Sequence, residues 1–435
     1  MPGAREFRQR PLRVDVGTRE RPSRDAACND LCLLDSPPME EPRYGWVVVW
    51  GAFFCLAVIF GVAYSFAAFF ESFAHEFQAR RADVALVFGL SGLIYFVLGA
   101  GAGMLADRYG PRIVCSAGML FICGGLVATS VADSMSMVYL AYGVGIGVGV
   151  ALVYTPAIAS VQPWFTRRRG LAAGIASAGI GAGTIAIPLL AASAISALEW
   201  RGALRAIAAG VLVVGLVAAF VLKRAPVASG AGPGARAGVS SGVSLSEALK
   251  NRRFWWFYAF TLMSAPAMFI PFAHVSAAAR DLGIGDARSV GLVGLIGIGS
   301  LVGRFAIGAL ADRIGRILTL TLMQASMGAS YLLWGAAGGY VALAIFALWF
   351  GLSYGGIVSL MPAICMDLFG ARAVSSILGT LYTGAALGNL LGPVIAGAAF
   401  DRGGSYAPVI WGCVALSALA TAASTRLVKS GARTY

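Results

Sequence analysis

Long apolar runs, separated by short polar segments, recur along the chain from position 46 to position 427. A bilayer core about 30 Å thick needs roughly 20 residues of helix to cross it, and each run has about that length. The pattern therefore predicts twelve membrane-spanning helices. Their predicted limits are 46–70, 83–106, 112–131, 137–163, 169–194, 201–222, 254–279, 288–311, 316–335, 340–366, 373–399 and 406–427.

The composition agrees with this pattern, since 58% of the 435 residues are hydrophobic and only 12% are charged. The net charge of +13 comes from Lys and Arg residues between the apolar runs. Of the 33 basic residues, 25 fall on one predicted side of the membrane, 7 on the other, and Arg304 falls inside it. The positive-inside rule then places both termini in the cytoplasm. We expect no nucleic-acid partner.

The polar segments outside the predicted helices divide the chain. The first segment has many arginines and too little apolar sequence for a signal peptide, so we expect a disordered cytoplasmic tail, with Met39 as an alternative start. A Gly-, Ala- and Ser-rich stretch near the middle of the chain predicts a cytoplasmic linker. The predicted divisions are N-terminal tail 1–43, N-terminal half 44–222, linker 223–253, C-terminal half 254–428 and C-terminal tail 429–435.

The two halves are internal repeats. GMLADRYGPR at 103–112 recurs as GALADRIGR at 308–316, an offset of 205 residues. The same offset relates four later positions in each half: Gly174, Gly179, Gly183 and Pro188 correspond to Gly379, Gly384, Gly388 and Pro393. We therefore predict an all-α membrane protein whose twelve helices form two pseudo-symmetric six-helix halves, with a transport site at the midplane between them.

Arg304 is the one basic residue deep inside a predicted membrane helix, since the others within the predicted limits lie near helix ends. A guanidinium at the bilayer centre costs about 2.5–3.5 kcal/mol on insertion scales, so it is tolerated where it faces a partner or a watery cavity. We interpret Arg304 as an anion-binding residue. Two alternatives stay open: a pairing with a buried carboxylate, or a side chain that extends along the helix to the interface.

The twice-used G-x-L-A-D-R-x-G-R loop resembles the signature of the major facilitator superfamily. That resemblance implies a role in conformational switching for Asp107, Arg108, Asp312 and Arg313. A finer resemblance points to the monocarboxylate transporters and their bacterial relatives near the oxalate/formate antiporters. It rests on YGWVVVWGAFF (44–54), WFTRRRGLAAGIASAGIGAG (164–183), MDLFG (366–370) and LLGPVIAGAAFDRGGSY (390–406).

The resemblance implies site residues at four positions. The substrate-binding arginine of helix 8 falls on Arg304, whose planar fork of donors matches the two oxygens of a carboxylate. A histidine in helix 7 falls on His274, with a bond to a carbonyl freed by that helix's prolines as the alternative. Aromatic residues in helices 4 and 10 fall on Tyr154 and Tyr354, with packing as the alternative role.

The sequence also departs from the family. Tyr64 and Ser300 stand where animal members carry a lysine in helix 1 and an acid in helix 8, so we include both as substrate-site candidates. Helix 11 lacks the internal second cation of the oxalate/formate antiporters. A monoanion therefore fits this chain better than a dianion.

Together these features predict a secondary active transporter of small monocarboxylates, such as lactate-, pyruvate- or acetate-like anions, that works by alternating access with proton symport. The alternatives are an organic-anion exchanger of the oxalate/formate type and a non-transporting membrane sensor. The expected partners are the organic acid anion, the proton and the lipid bilayer of a bacterial inner membrane. We expect no enzymatic activity, metal or cofactor, because the seven cysteines and two histidines lack metal-ligand spacing.

Overall fold

The structure is a computed structural model that describes residues 43–165, 169–224, 242–370 and 373–431. Almost all of the predicted N-terminal tail, most of the linker and the end of the C-terminal tail lie outside these residues. In the described part of the chain, the regular structure is helical apart from one isolated backbone bridge between Gly242 and Gly370. The all-α prediction is confirmed.

The membrane helices follow the predicted order. They are α1 (Arg43–Glu76), α2 (Arg81–Tyr109), α3 (Pro111–Ser130), α4 (Met135–Val161), α5 (169–198), α6 (200–220), α7 (Arg252–Asp281), α8 (Asp286–Ile314), α9 (Arg316–Gly335), α10 (Tyr340–Phe369), α11 (Val374–Gly403) and α12 (Ala407–Gly431). A short helix, Leu245–Lys250, precedes α7, and its first turn is capped reciprocally by Ser244 and Glu247.

The division between α5 and α6 decides the number of membrane crossings. By length and apolar composition alone, eleven helical stretches among the described residues could cross a membrane, because residues 172–220 run as one stretch. A straight helix of that length would measure about 74 Å, more than twice the bilayer core. Glu199 breaks it, with φ 57° and ψ 171°. Counting the two sides separately gives the twelve helices of the predicted fold.

Successive helices alternate in direction across the bundle. We call the side where α1 begins and α12 ends the near face, and the side where α1 ends the far face. Within each half the connections are short, and at the near face α2 passes to α3 through Gly110 alone. Neighbouring helices in each half are therefore antiparallel.

The structure reproduces the sequence repeat in its turns. Gly110 and Gly315 each stand alone between two helices and have φ values of 92° and 93°. A side chain would be strained in this left-handed region, so both copies of the loop need glycine here. The shared turn confirms that the two halves are structural copies.

The repeated glycines also have matching neighbours. A Cβ on Gly183 would overlap the backbone carbonyl of Ala57, and one on Gly388 would overlap the Cβ of Ala265. The first contact joins α5 to α1, and the second joins α11 to α7, the equivalent pair in the other half. Small residues that allow two membrane helices to approach closely explain why both halves keep glycine at this position.

The two halves meet along α2 with α11 and along α5 with α8. Close approach is again made by glycine, since a Cβ on Gly89 would lie 2.9 Å from the carbonyl oxygen of Leu390. Gly92 leaves room for the Asn389 amide, which also donates to the Gly89 carbonyl at 3.4 Å. These two helix pairs flank the space between the halves.

Candidate substrate site

A cavity lies between the halves and encloses about 660 Å³ of empty space including its open mouth. Eight helices contribute to it: α1, α2, α4 and α5 from the first half, and α7, α8, α10 and α11 from the second. The lining is dominated by aromatic rings. These rings belong to Phe60, Tyr95, Phe96, Tyr154, Phe260, Phe269, Tyr354 and Tyr382. The location agrees with the predicted midplane site.

Arg304 reaches this cavity because α8 and α10 pack backbone to backbone. A Cβ on Gly303 would overlap the carbonyl oxygen of Leu352, and one on Gly355 would overlap the carbonyl oxygen of Ser300. Glycine at both positions lets the two helices approach closely. The close approach brings Arg304 and Tyr354 to the same cavity.

Arg304 is the one charged side chain among the residues that line the cavity. Its Nε is buried and has no hydrogen-bond partner, and no carboxylate within the described part of the chain pairs with its guanidinium. An unsatisfied buried donor costs about 1–3 kcal/mol, and more when it is charged. Of the three roles considered for Arg304, pairing with a buried carboxylate therefore has no counterpart among these residues.

Tyr154 and Tyr354, which the family resemblance implies as site residues, line the cavity together with Arg304, and their contact with substrate stays a prediction. Tyr64 does not line it but lies directly behind, where its hydroxyl is 3.1 Å from the hydroxyl of Tyr354. The Tyr64 ring stacks on Phe272 with the ring centroids 4.1 Å apart. These rings form an aromatic wall between the cavity and the far face.

Ser300 lies one helical turn before Arg304 and is buried. It does not line the cavity, and its Oγ has no hydrogen-bond partner among the described residues. Two consecutive turns of α8 thus each carry a polar atom without a partner. The residue at the position of the family's acid is therefore close to the site but behind its surface.

His274 lies outside the cavity, fully buried towards the far face. Its Nε2 is 2.8 Å from the carbonyl oxygen of Pro393, and its Nδ1 is 3.0 Å from the hydroxyl of Tyr406. A carbonyl can only accept, so Nε2 donates and Nδ1 of the neutral ring accepts from Tyr406. The histidine is thus bonded to a backbone carbonyl, but this carbonyl belongs to Pro393 of α11 and is not one freed by the prolines of α7. Its role in substrate binding stays a prediction.

A cluster of polar groups near His274 ties the two halves together at the far face. Arg81 of α2 donates to both carboxylate oxygens of Asp281 in α7, at 2.6 and 2.7 Å, and to the Tyr406 hydroxyl at 2.8 Å. Asp401 of α11 accepts from the backbone amides of Arg81 and Ala82, both at 3.0 Å. We call Arg81, Asp281, Asp401 and Tyr406 the far-face cluster.

The predicted switching residues lie at the near ends of α2 and α8. Arg108 and Arg313 are exposed there. The side chains of Asp107 and Asp312 fall outside the described part of the structure. The position of these loops at the near face matches the prediction, and their role in switching stays untested.

Sequence reasoning missed the far-face cluster and the contact between Ser264 and Gln324. Arg81 and Asp401 counted only as charges at helix ends, although their grouping on one face was a usable signal once the helices alternate in direction. Ser264 lines the cavity, and its Oγ lies 2.6 Å from Oε1 of Gln324 in α9. Gln324, a fully buried amide in a membrane helix, was the signal for that contact.

Comparisons with known proteins come from sequence and from structure. The family model described as Major Facilitator Superfamily matches residues 52–393 and 267–432. Monocarboxylate transporter 13 of Bos taurus is 30% identical over 379 residues, which cover 85% of each chain. Monocarboxylate transporter 4 of Rattus norvegicus is 28% identical over 369 residues, covering 82% of this chain and 77% of the relative.

One solved structure is similar in fold. It is described as a bacterial homolog of the human lysosomal transporter Spinster in an inward-facing and unoccupied conformation. Its TM-score is 0.67 at 16% sequence identity, and the match covers 89% of this chain and 98% of that one. At this identity the likeness concerns the fold alone.

Proposed function

The chain belongs to the major facilitator superfamily and is a multi-pass membrane transporter, and we propose that it carries a small monocarboxylate anion by alternating access. Its similarity to the monocarboxylate transporters supports this substrate class. Because the family and these relatives are transporters, we set aside the non-transporting sensor that the sequence left open. Lactate-, pyruvate- and acetate-like anions are the first candidates.

The observation that carries the proposal is the Arg304 guanidinium, which has no partner among the described residues and reaches an aromatic cavity. A guanidinium offers two parallel donors to a carboxylate, and a cavity with little water strengthens the pair. The residues that line the cavity include a single cation and no acid, so one negative charge is balanced there. Tyr154 and Tyr354 supply hydroxyl groups beside it.

Alternating access requires that the two halves separate at one face at a time. The far-face cluster and the aromatic wall hold the halves together at the far face in this structure. The opposite state has to break the contacts of Arg81, while the loops around Asp107 and Asp312 control the near face. The 25 basic residues that the sequence predicts on the side of the termini support, by the positive-inside rule, a cytoplasmic near face, and we propose a bacterial inner membrane as the location.

Proton symport is the coupling mode that we propose, with the proton carried by the acid itself or by His274. One observation favours anion exchange as a second candidate. No carboxylate is found among the residues that line the cavity, so no acidic side chain beside Arg304 takes up a proton with the substrate. In an exchanger, the returning anion would neutralise Arg304 instead.

Uptake into proteoliposomes tests the substrate class. Radiolabelled lactate, pyruvate and acetate are offered in turn, and the uncharged primary amide of each acid serves as a competitor. We expect at least one acid to accumulate and its amide not to compete, because the amide cannot pair with Arg304. An amide that competes as well as its acid, or uptake of none of the acids, would reject the proposal.

The same vesicles decide the coupling. An inward proton gradient is compared with vesicles that are preloaded with the unlabelled anion at equal pH on both sides. Acceleration by the proton gradient supports symport. Acceleration only by preloaded anion supports exchange.

A further inference from the structure

The cavity contains more recognition chemistry than a two- or three-carbon acid can use. We propose that it selects monocarboxylates that have a planar apolar body and an uncharged hydrogen-bonding group, and that Ser264, supported by Gln324, recognises this group. The proposal rests on the proposed function, because Arg304 binds the carboxylate. It adds a second recognition point and a class of substrate body.

The lining of the cavity supports the planar body. Aromatic side chains with a few placed polar groups are typical of sites for organic ligands, and eight aromatic rings line this cavity beside Arg304. The Tyr95 and Phe96 rings, 4.2 Å apart, continue to Phe269 and Tyr382 at 5.9 and 5.7 Å from Phe96. Such surfaces favour flat ligands that stack or pack edge to face.

The second recognition point, for the hydrogen-bonding group of the substrate, lies on α7. Ser264 lines the cavity, and its hydroxyl is held by Gln324 at 2.6 Å. Thr261, one turn earlier, also lines the cavity, but its hydroxyl donates to the carbonyl of Phe257 in its own helix. Ser264 is therefore the α7 hydroxyl whose partner is a side chain that is able to change its orientation.

Gln324 is unusual for its position. It is fully buried in α9, a helix that contributes no residue to the cavity lining, and its Nε2 has no partner among the described residues. A buried donor without a partner costs about 1–3 kcal/mol, and polar residues inside membrane helices are usually functional. The contact with Ser264 connects this amide to the cavity.

Ser264 and Gln324 together are able to hydrogen-bond either a donor or an acceptor group of the substrate. As placed, the Ser264 hydroxyl donates to Oε1 of Gln324, and the lone pairs of its Oγ accept from a substrate hydroxyl. If the amide turns by 180°, Nε2 donates to Ser264, and the serine hydroxyl then donates to a substrate carbonyl. The two ends of an amide are similar in size, so both arrangements fit the same space.

Ser264 and Arg304 lie at similar depth in the membrane. Ser264 is 12 residues from the near end of α7, or about 18 Å along the helix, and Arg304 is 10 residues from the near end of α8, or about 15 Å. Both side chains line one cavity at this level. A single substrate that spans the cavity is therefore able to contact both.

The test compares pairs of acids that differ only by one hydroxyl. Benzoate, phenylacetate and 3-phenylpropionate, each with its 4-hydroxy derivative, compete with a labelled acid that the wild-type protein transports. The measured quantity is the ratio of the two inhibition constants in each pair. The variants are Ser264→Ala and Gln324→Leu, and the matched control is Ser276→Ala. Ser276 is a buried α7 serine outside the cavity that donates to the Ser289 carbonyl.

We expect the hydroxyl to improve binding by about threefold to tenfold for at least one chain length, the range of one net hydrogen bond. In Ser264→Ala and Gln324→Leu this ratio should fall to about one, while the unsubstituted acid still binds. Ser276→Ala should keep the wild-type ratio. A merely structural role would weaken both acids of a pair equally and leave the ratio unchanged, which would overturn the assignment.

Other outcomes separate this inference from the proposed function. If lactate competes but none of the aromatic acids does, the planar body is wrong and the proposed function stands. If the aromatic acids compete without any hydroxyl preference in wild type, the role of Ser264 is wrong. If the wild-type protein transports no labelled carboxylate at all, the proposed function itself fails.

Discussion

Two arginines in membrane helices of this protein have opposite surroundings. Arg81 contacts Asp281, Tyr406 and the face of the Phe400 ring, whose centroid lies 3.8 Å from the guanidinium carbon. Arg304 makes no hydrogen bond or ion pair with the described residues. The comparison separates a cation that the protein satisfies itself from one that, under the proposed function, binds the substrate anion.

The difference has a consequence for the transport cycle. Arg81 joins α2 of one half to the end of α7 and to Tyr406, just before α12, of the other half, so its contacts require a closed far face. Arg304 lines the cavity, and under the proposed function its partner arrives and leaves with each turnover. We therefore expect Arg81 to affect the balance between states and Arg304 to affect substrate affinity.

Arg304→Lys should give the largest effect. The lysine keeps the charge but loses the planar pair of donors, and hydrogen bonds to charged groups are worth about 1.5–3 kcal/mol, so uptake should fall by about tenfold or more. Initial uptake rates of the transported acid in proteoliposomes measure it. The control is Arg288→Lys on the same helix, where the side chain is exposed beside Tyr340. Normal uptake by correctly inserted Arg304→Lys protein would rule out the site.

Arg81→Gln should have the next largest effect. Without its ion pair the far face opens more often, and uptake should fall several-fold while substrate affinity changes less. Spin labels at Gln78 and Ser405, in connections on opposite halves at the far face, report the opening by pulsed distance measurements.

The neighbouring arginine is the control. Arg80 pairs with Asp83 in its own helix at 3.0 Å, and its side chain is 75% exposed, against 17% for Arg81. Arg80→Gln should leave the distance distribution unchanged. If Arg81→Gln also leaves it unchanged, the far-face cluster does not hold the two halves together.

The comparison also shows what the sequence was able to predict. The twelve helices and the repeat follow from local patterns: apolar length, basic residues between the runs, and glycines at a constant offset. Arg304 follows from the cost of one charge in an apolar run. None of these inferences depends on which helices are in contact with each other.

Predicting the far-face cluster would have required the helix–helix contacts. Arg81, Asp281 and Asp401 stand at helix ends, where charged residues are ordinary, and 320 positions separate the first from the last. The contact between Ser264 and Gln324 is equally hidden, because each residue alone is a small polar exception in a long helix. The Pro393 carbonyl that His274 contacts lies in another helix, α11, so this contact also depends on helix packing that the sequence alone does not give.

Asp107→Asn should give a moderate effect. The substitution concerns the near-face loop, away from both arginines, so it should slow transport a few-fold and leave the equilibrium affinity for the acid close to wild type. Uptake rate and ligand binding are measured on the same preparation. Asp312→Asn should behave alike, because it is the same position in the second half. A collapse of affinity with an unchanged balance of states would contradict a switching role.

His274→Gln should have the smallest effect on uptake measured without a proton gradient. Its effect on uptake measured with a proton gradient is the more informative result. Protonated His274 would donate from Nδ1 towards the Tyr406 oxygen, which already accepts from Arg81. Two cations would then contact one hydroxyl, with Asp281, Asp401 and Glu71 as the nearby acids, and we expect protonation to favour an open far face.

Uptake under an inward proton gradient therefore shows whether His274 or the substrate acid carries the proton. If it accelerates uptake in wild type but not in His274→Gln, the histidine carries the proton, and the far-face cluster couples it to opening. If both proteins respond alike, the proton arrives with the acid. His75→Gln is the control, because His75, the second of the two histidines, is exposed at the far end of α1. If no proton gradient accelerates wild type while preloaded anion does, Arg304 is discharged by exchange and His274 has only a structural role.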